Sequence, residues 1–171
     1  MQILETSLKN VYLIKLDAFE DYRGKVVSLW DINEAQTRLN SVILVCSDTG
    51  VVWKEIVVTT SVKGVIRGIH WDSKRWKLCS CLYGKVYQVV VEPESGKWEG
   101  FVVSGENHYQ VLVPPKHGNS YQVLSDMAVF HYMMSESYDP NREKNYRYDD
   151  PKFKIDWPIL PPILSKKDRE A

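Results

Sequence analysis

Hydrophobic and polar positions alternate along this chain in short runs, a pattern typical of β-strands with one buried face. In the middle of the chain these runs follow one another closely and are separated by glycines, prolines and other turn residues. The runs cover residues 76–83, 85–91, 98–103, 109–113, 121–124 and 128–134. Many short strands at close spacing predict an all-β fold, either a sandwich or a barrel.

The two ends of the chain are less regular than the middle. Toward the N-terminus we predict strands over 11–16, 25–30, 42–46 and 51–60, a loop over 17–24, and a helix over 32–39 capped by Asp31. From Tyr138 onward the chain is polar and rich in turns and prolines, and a helix begins near Ser165. Because prolines hold this tail extended, we expect it to lie over the barrel, within a single domain of residues 1–171.

The stretch from Gly64 to His70 combines apolar residues with two glycines, one arginine and one histidine. Side chains alternate across a strand, so Arg67 and His70 face opposite sides of an unbroken strand. A bend at Gly68 brings both into one cavity, because glycine adopts backbone angles that other residues avoid. Taken alone, the stretch favours a structural strand with a surface arginine and a core histidine, and only the rest of the chain favours the functional interpretation.

Composition excludes several classes of protein. Of the 171 residues, 22 are Lys or Arg and 22 are Asp or Glu, so the net charge is zero and gives no basic nucleic-acid footprint. No apolar run approaches the roughly 20 residues of a membrane helix, and the N-terminus lacks the layout of a signal peptide. We therefore expect a cytoplasmic protein. Its three cysteines, Cys46, Cys79 and Cys81, are expected to be reduced packing residues.

Several short motifs occur in one order along the chain, and together they are more specific than any one alone. The ordered set resembles the dTDP-4-dehydrorhamnose 3,5-epimerase family over nearly the whole chain. Within that family the chain looks most like the branch acting on GDP-4-keto-heptoses of bacterial capsules. The motifs are Asp21-Tyr-Arg-Gly, Val65-Ile-Arg-Gly-Ile-His, Lys77-Leu, Gly84-Lys-Val-Tyr-Gln-Val-Val-Val-Glu, Pro114-Pro-Lys-His-Gly-Asn-Ser, Val123-Leu-Ser-Asp, Ala128-Val-Phe-His-Tyr, Tyr138-Asp-Pro, Asp150-Pro, Ile155-Asp-Trp-Pro and Leu164-Ser-Lys-Lys-Asp.

This resemblance implies a fold, an assembly and a reaction. The fold is a cupin-like jelly roll, that is a double-stranded β-helix, with short peripheral helices and a C-terminal tail over the barrel. The protein is expected to be a homodimer in which the strand near 11–16 crosses to the partner. Its substrate is a nucleoside-diphosphate 4-keto sugar, with GDP favoured and dTDP or CDP as alternatives. No metal and no cofactor is implied, and no nucleic-acid or membrane partner.

The resemblance also assigns catalytic roles. The 4-keto group acidifies the protons on carbons 3 and 5, so a base removes one of them and an acid returns a proton to the opposite face. His70 matches the base and Asp168 the carboxylate that orients it. Tyr132 matches the acid, and Lys77 matches a cation beside the carbonyl oxygen.

The resemblance also assigns residues that contact the substrate. Arg67 matches the arginine that binds the diphosphate, and Arg23 and Glu143 match further contacts. The chain departs from the commoner epimerases at positions around the nucleotide. Asn119 occupies a position where those epimerases have a histidine. Glu55 is the first of three residues at the position of their Gln-Asp-Asn sequence. Further departures are Val26, Ser28 and Ser137. They make a dTDP substrate doubtful.

Three other interpretations compete with this one. A metal-dependent cupin usually carries a His-x-His pair, whereas His70 is followed by Trp71-Asp72. A non-catalytic sugar-binding jelly roll has no need for His70, Tyr132 and Asp168 together. A 3-epimerase or a sugar 3,4-ketoisomerase on the same scaffold remains open, because the sequence does not determine which carbons are inverted.

Overall fold

Antiparallel strands form almost all of the regular structure in the computed structural model, which describes residues 1–34 and 51–171. One sheet has six strands in the order β1-β2-β10-β7-β12-β5, and a second has five in the order β13-β6-β11-β8-β9. A separate hairpin is formed by β3 and β4. The strands are β1 Gln2–Glu5, β2 Tyr12–Lys15, β3 Ala18–Asp21, β4 Gly24–Val27, β5 Glu55–Val62, β6 Ile66–Trp71, β7 Lys77–Tyr83, β8 Lys85–Glu92, β9 Lys97–Ser104, β10 Tyr109–Val113, β11 Gly118–Val123, β12 Met127–Met134 and β13 Lys144–Asn145.

The two large sheets face each other across the main core. Alternate side chains of β7, β8, β9, β10, β11 and β12 point into this space and are buried there. They include Cys79, Cys81, Val86, Val90, Phe101, Val103, Val111, Tyr121, Val123 and Phe130. The predicted all-β jelly roll is therefore confirmed, and the two described cysteines, Cys79 and Cys81, are free and buried.

The C-terminal tail crosses the outer face of the five-stranded sheet. Phe153 and Trp157 pack there against Ile66, Ile69 and Val89. Further along, Ile163 forms a bridge with Val65 beside β6, and the chain then enters helix α2 (Lys166–Arg169). The tail thus lies over the barrel, as predicted, and places α2 at one end of it.

The N-terminal region differs from the prediction at several points. Residues 18–21 form β3, where we predicted a loop, and the next strand is only Gly24–Val27. The cause is a two-residue hairpin turn, in which Asp21 pairs with Gly24 and its carboxylate accepts the Arg23 N–H at 2.9 Å. Gly24 has a φ of +123°, a left-handed conformation that suits glycine.

Of three further predictions, two meet the structure in part and the third falls outside the described residues. The segment near 11–16 forms β2, which pairs with β1 and β10 of its own chain rather than extending freely toward a partner. Helix α1 is described over Ile32–Glu34, and the remainder of the helix predicted for 32–39 lies outside the described residues. The strand predicted for 42–46, with Cys46, lies outside them as well. Among the described residues, no helix is long and apolar enough to cross a membrane.

Candidate active site

One end of the barrel interior is polar, although its walls continue the strands of the core. On β7, β11 and β12 the inward-facing positions are apolar or aromatic in the middle of the barrel. At one end the same faces carry Lys77, Asn119 and Tyr132. They surround a cavity of about 240 Å³ lined by Thr59, Arg67, His70, Lys77, Asn119, Tyr121, Tyr132, Ser165, Lys167 and Asp168.

A bulge in β6 puts Arg67 and His70 on the same side. Asn119 of β11 pairs with His70 and Tyr121 pairs with Arg67, so three steps on β6 oppose two steps on β11. Gly68, at the bulge, has a φ of +120°. A β-carbon there would lie 2.7 Å from the Asn119 carbonyl oxygen, so the close approach of the strands also requires glycine. The predicted bend at Gly68 is confirmed.

His70 and Asp168 form a hydrogen-bonded pair although they are 98 residues apart. The His70 Nε2 lies 2.6 Å from the Asp168 Oδ1, and the side chains are 25% and 5% exposed. The other carboxylate oxygen accepts the Ser165 hydroxyl at 2.9 Å. Ser165 also caps α2 by accepting the Asp168 N–H at 3.1 Å. Asp168 is therefore held in place at both its backbone and its carboxylate.

The electrostatics of this pair suit a carboxylate that orients an imidazole. Burial alone raises the pKa of Asp168, but hydrogen bonds from His70 and Ser165 and the charge of Lys167 outweigh it and bring the pKa below its ordinary value. Asp168 is thus an acceptor for a proton on Nε2 of His70. The other ring nitrogen, Nδ1, has no hydrogen-bond partner among the described residues and is available to take up a proton.

Lys77 and Tyr132 supply two donors to the same cavity. Burial lowers the pKa of Lys77, and its ammonium donates to the His70 carbonyl oxygen at 3.3 Å. Burial raises the pKa of Tyr132 to about 12, so the phenol keeps its proton throughout the physiological range. Its hydroxyl has no hydrogen-bond partner in the described part of the chain. Both groups are placed to donate to a bound molecule.

Arg67 and Asn119 complete the set of predicted residues that reach the cavity. Arg67 is exposed at the rim, where its Nε donates to the Ser61 hydroxyl at 3.0 Å. Its two terminal guanidinium nitrogens have no hydrogen-bond partner within residues 1–34 and 51–171. Asn119 is buried, and its Oδ1 accepts the Gln88 Nε2 at 2.7 Å. The cavity therefore has a cation at its entrance and an amide on its wall.

Three predicted residues lie outside this cavity. Arg23 is exposed at the tip of the β3–β4 hairpin, where its guanidinium pairs with Asp21. The Glu55 carboxylate accepts the Tyr138 N–H at 2.9 Å. Glu143 has both oxygens engaged, one by Arg75 at 3.5 Å and the other by Lys167. Glu143 thus holds α2 against the barrel within this chain.

The comparison with known proteins bears directly on this arrangement. The family model for dTDP-4-dehydrorhamnose 3,5-epimerase matches residues 5–171. The chain belongs to that family. It is an isomerase of the epimerase class, as predicted, and the family part of the resemblance is confirmed.

Individual relatives of the epimerase span nearly its full length. The dTDP-4-dehydrorhamnose 3,5-epimerase of Shigella flexneri is 28% identical over 98% of this chain and 93% of its own. A 4-keto-6-deoxy sugar epimerase from Streptomyces spheroides has a TM-score of 0.91 at 28% identity, covering 100% of this chain and 86% of that one. A dTDP-6-deoxy-D-glucose-3,5-epimerase from Legionella pneumophila, solved with dTDP-4-keto-L-rhamnose, has a TM-score of 0.89 at 31% identity, covering 99% and 90%.

Sequence reasoning missed several residues that line the cavity of the epimerase. Thr59 and Tyr121 lie on its wall with their hydroxyl oxygens 2.7 Å apart, and Ser165 and Lys167 reach it from α2. The alternation of side chains along β5 and β11 is the signal that could have placed Thr59 and Tyr121 on the inward faces of these strands. Only the docking of the tail shows that Ser165 and Lys167 meet them there.

The metal-dependent alternative receives no added support from the described residues of the epimerase. Within residues 1–34 and 51–171, no three His, Cys, Asp or Glu side chains form a cluster suited to a metal ion. His131, the other histidine on a strand near the site, is buried on β12, and burial lowers its pKa.

Proposed function

We propose that this epimerase inverts carbon 3, carbon 5 or both of a nucleoside-diphosphate 4-keto sugar, through an enolate. The observation that carries the proposal is the His70–Asp168 pair, 2.6 Å apart, in one cavity with Tyr132 and Lys77. In the proposed step the C–H bond breaks, His70 takes the proton, and the electron pair moves into a C=C bond as the carbonyl oxygen becomes negative. Tyr132 then returns a proton to the opposite face.

The donors of the cavity suit the charge that this reaction creates. The enolate places negative charge on the 4-oxygen, and Lys77 is a buried ammonium with a lowered pKa. A cation of this kind stabilises an oxyanion strongly because little water competes with it. Arg67 at the rim is suited to the diphosphate, since its planar guanidinium binds phosphate oxygens in pairs.

The nucleotide is proposed to be GDP, with dTDP and CDP as the alternatives to be tested. Glu55 lies outside the cavity but on the same face of β5 as Thr59, which lines it. A carboxylate there is an acceptor for the amino group that guanine carries and thymine lacks. The Legionella relative was solved with a dTDP sugar, so the two nucleotides must be compared directly. We propose that the product enters a bacterial surface polysaccharide, as in the branch that the chain resembles.

The first prediction is tested by incubating the wild-type protein with GDP-, dTDP- and CDP-4-keto sugars in deuterated water and following the products by NMR. We expect deuterium at carbon 3, carbon 5 or both with inverted configuration, and the highest kcat/KM with a GDP sugar. A product whose keto group has moved to carbon 3 supports the 3,4-ketoisomerase alternative. Absence of both exchange and turnover with all three nucleotides contradicts the proposed function.

The second prediction is a homodimer, which we propose is formed through the β3–β4 hairpin. Phe19 and Val26 on this hairpin are 68% and 70% exposed. The edge strand β5 of the six-stranded sheet also shows Ile56, Val58 and Val62 to solvent. Such a pairing carries Arg23 at the hairpin tip toward the partner, where it can serve the partner's cavity.

Light scattering at micromolar concentration should give twice the 19.9 kDa mass of the chain. Val26→Asp should shift the population toward the monomer, because it buries a charge at the proposed interface. Val102→Asp on β9 is the matched control, since Val102 is also an exposed strand valine. A monomeric wild-type protein contradicts the dimer.

A further inference from the structure

A buried glutamine with no assigned role lies beside the cavity. Gln88 of β8 is 0% exposed, and its Nε2 donates to the Oδ1 of Asn119 at 2.7 Å. The two residues project inward from adjacent strands, since Gln88 pairs in register with Tyr121, two residues after Asn119. Asn119 lines the cavity, whereas Gln88 lies behind it.

This contact determines which end of the Asn119 amide faces the cavity. An amide has one acceptor oxygen and one donor nitrogen, and the oxygen of Asn119 is already taken by Gln88. The remaining polar atom is Nδ2, which has no hydrogen-bond partner among the described residues. Asn119 therefore presents an N–H donor to the same space as Lys77 and His70.

The contact with Asn119 leaves the other polar atom of the Gln88 amide without a partner in the described core. The Oε1 of Gln88 is buried and has no hydrogen-bond partner within residues 1–34 and 51–171. A buried acceptor left without a donor destabilises the folded state, and an apolar side chain of similar size would avoid that penalty. The donor end of Gln88 is thus the part of this side chain with a structural use: it bonds Asn119 at 2.7 Å and also interacts with the Cys79 thiol. Of these two contacts, only the one with Asn119 orients a residue that lines the cavity.

We propose that Gln88 is a positioning residue that holds Asn119 with its N–H toward the 4-oxygen of the substrate. Asn119 then acts with Lys77 as the second donor to the oxygen that becomes negative in the enolate. This inference rests on the proposed epimerisation. Two donors fixed before the reaction lower the barrier because they need not reorient as the charge develops. The neutral amide adds this stabilisation without a further buried charge.

Gln88→Glu tests the orientation through a new pH dependence. While protonated, the introduced carboxyl donates to Oδ1 of Asn119 as the native amide does, and burial favours this neutral form. Once ionised, the carboxylate attracts the Nδ2 donor, so the Asn119 amide turns and presents its oxygen to the enolate. Carbon-13 NMR of the variant gives the pKa of the new carboxyl. As pH rises through that pKa, the rate of the variant, divided by the rate of the wild type at the same pH, should fall at least about tenfold.

Gln88→Met gives a test that does not depend on ionisation. It keeps the length of the side chain and removes the donor, so Asn119 is free to turn. We expect kcat to fall at least about tenfold at every pH, with KM changed less than about threefold. Gln110→Met is the matched control: Gln110 is a buried glutamine on β10 that does not line this cavity, and its replacement should leave kcat unchanged.

The outcomes separate this inference from the function on which it rests. If the wild-type protein turns over no nucleoside-diphosphate 4-keto sugar, the proposed function fails. If the wild type is active and folded Gln88→Met retains its kcat, the positioning role alone is overturned. It is equally overturned if the rate of Gln88→Glu does not follow the titration of the new carboxyl. Should Gln88→Glu fail to fold, Gln88→Met decides.

Discussion

The His70→Asn variant is expected to lose the uptake of solvent deuterium at both carbon 3 and carbon 5 of the 4-keto sugar. Asparagine keeps a polar side chain of similar reach but cannot accept a proton near neutral pH. In the proposed reaction no other group of the cavity takes this role, because Lys77 and Tyr132 act as donors. General bases contribute about 10²- to 10⁴-fold, so exchange measured by NMR should fall by at least about 10²-fold.

Asp168→Asn should lower the same exchange by orders of magnitude. The amide keeps the shape of the carboxylate but can present an N–H toward Nε2 of His70, which favours the wrong tautomer and no longer stabilises the imidazolium. Asp149→Asn is the matched control, since Asp149 pairs with Arg147 in the same tail but at the surface. Near-normal exchange by purified, folded His70→Asn would contradict the assignment of the base.

The lowered pKa of Asp168 also predicts how acid affects the docked tail. A carboxylate whose pKa is lower in the folded protein stabilises the fold at pH values above its ordinary pKa. That contribution is lost as pH falls through the lowered value. The His70–Asp168 contact should therefore be intact at neutral pH.

The Tyr132→Phe variant should separate exchange from inversion. The substitution keeps the ring, which packs against the core beside Phe130, and removes only the hydroxyl. In the wild type the pKa of Tyr132 is raised to about 12 by burial, so the phenol holds a proton ready for transfer. Without it, His70 still removes a proton and can return deuterium to the same face. We expect label at carbon 5 with retained configuration.

NMR of the product gives the configuration and the label in one measurement. Inversion at carbon 5 should fall by at least about 10²-fold, while water can serve as the acid at carbon 3. Tyr87→Phe is the control, because Tyr87 is a half-buried tyrosine that packs against Trp157 rather than lining the cavity. Inversion of carbon 5 by Tyr132→Phe at the wild-type rate would show that another group donates the proton.

Many of the strands could be predicted from local sequence, because the alternation of hydrophobic and polar residues and the positions of turn residues act over short stretches of chain. The predicted strand at 109–113 coincides with β10, and those at 85–91 and 128–134 end within one residue of β8 and β12. The prediction of a loop over 17–24 was wrong. These residues are polar and rich in turn formers, as in a loop, but the pairing of Asp21 with Gly24 closes a β-hairpin. The residues proposed to be catalytic came from the resemblance and its ordered motifs.

The tertiary structure decided which of these residues meet. Alternation along β6 separates Arg67 from His70, and only the bulge against β11 places them together. The contact between His70 and Asp168 depends on the path of the tail across the five-stranded sheet. In the same way, only packing shows that the Glu143 carboxylate is engaged by Arg75 and Lys167. Local sequence determines which face of a strand a side chain occupies, whereas contacts between distant segments depend on how the sheets and the tail pack.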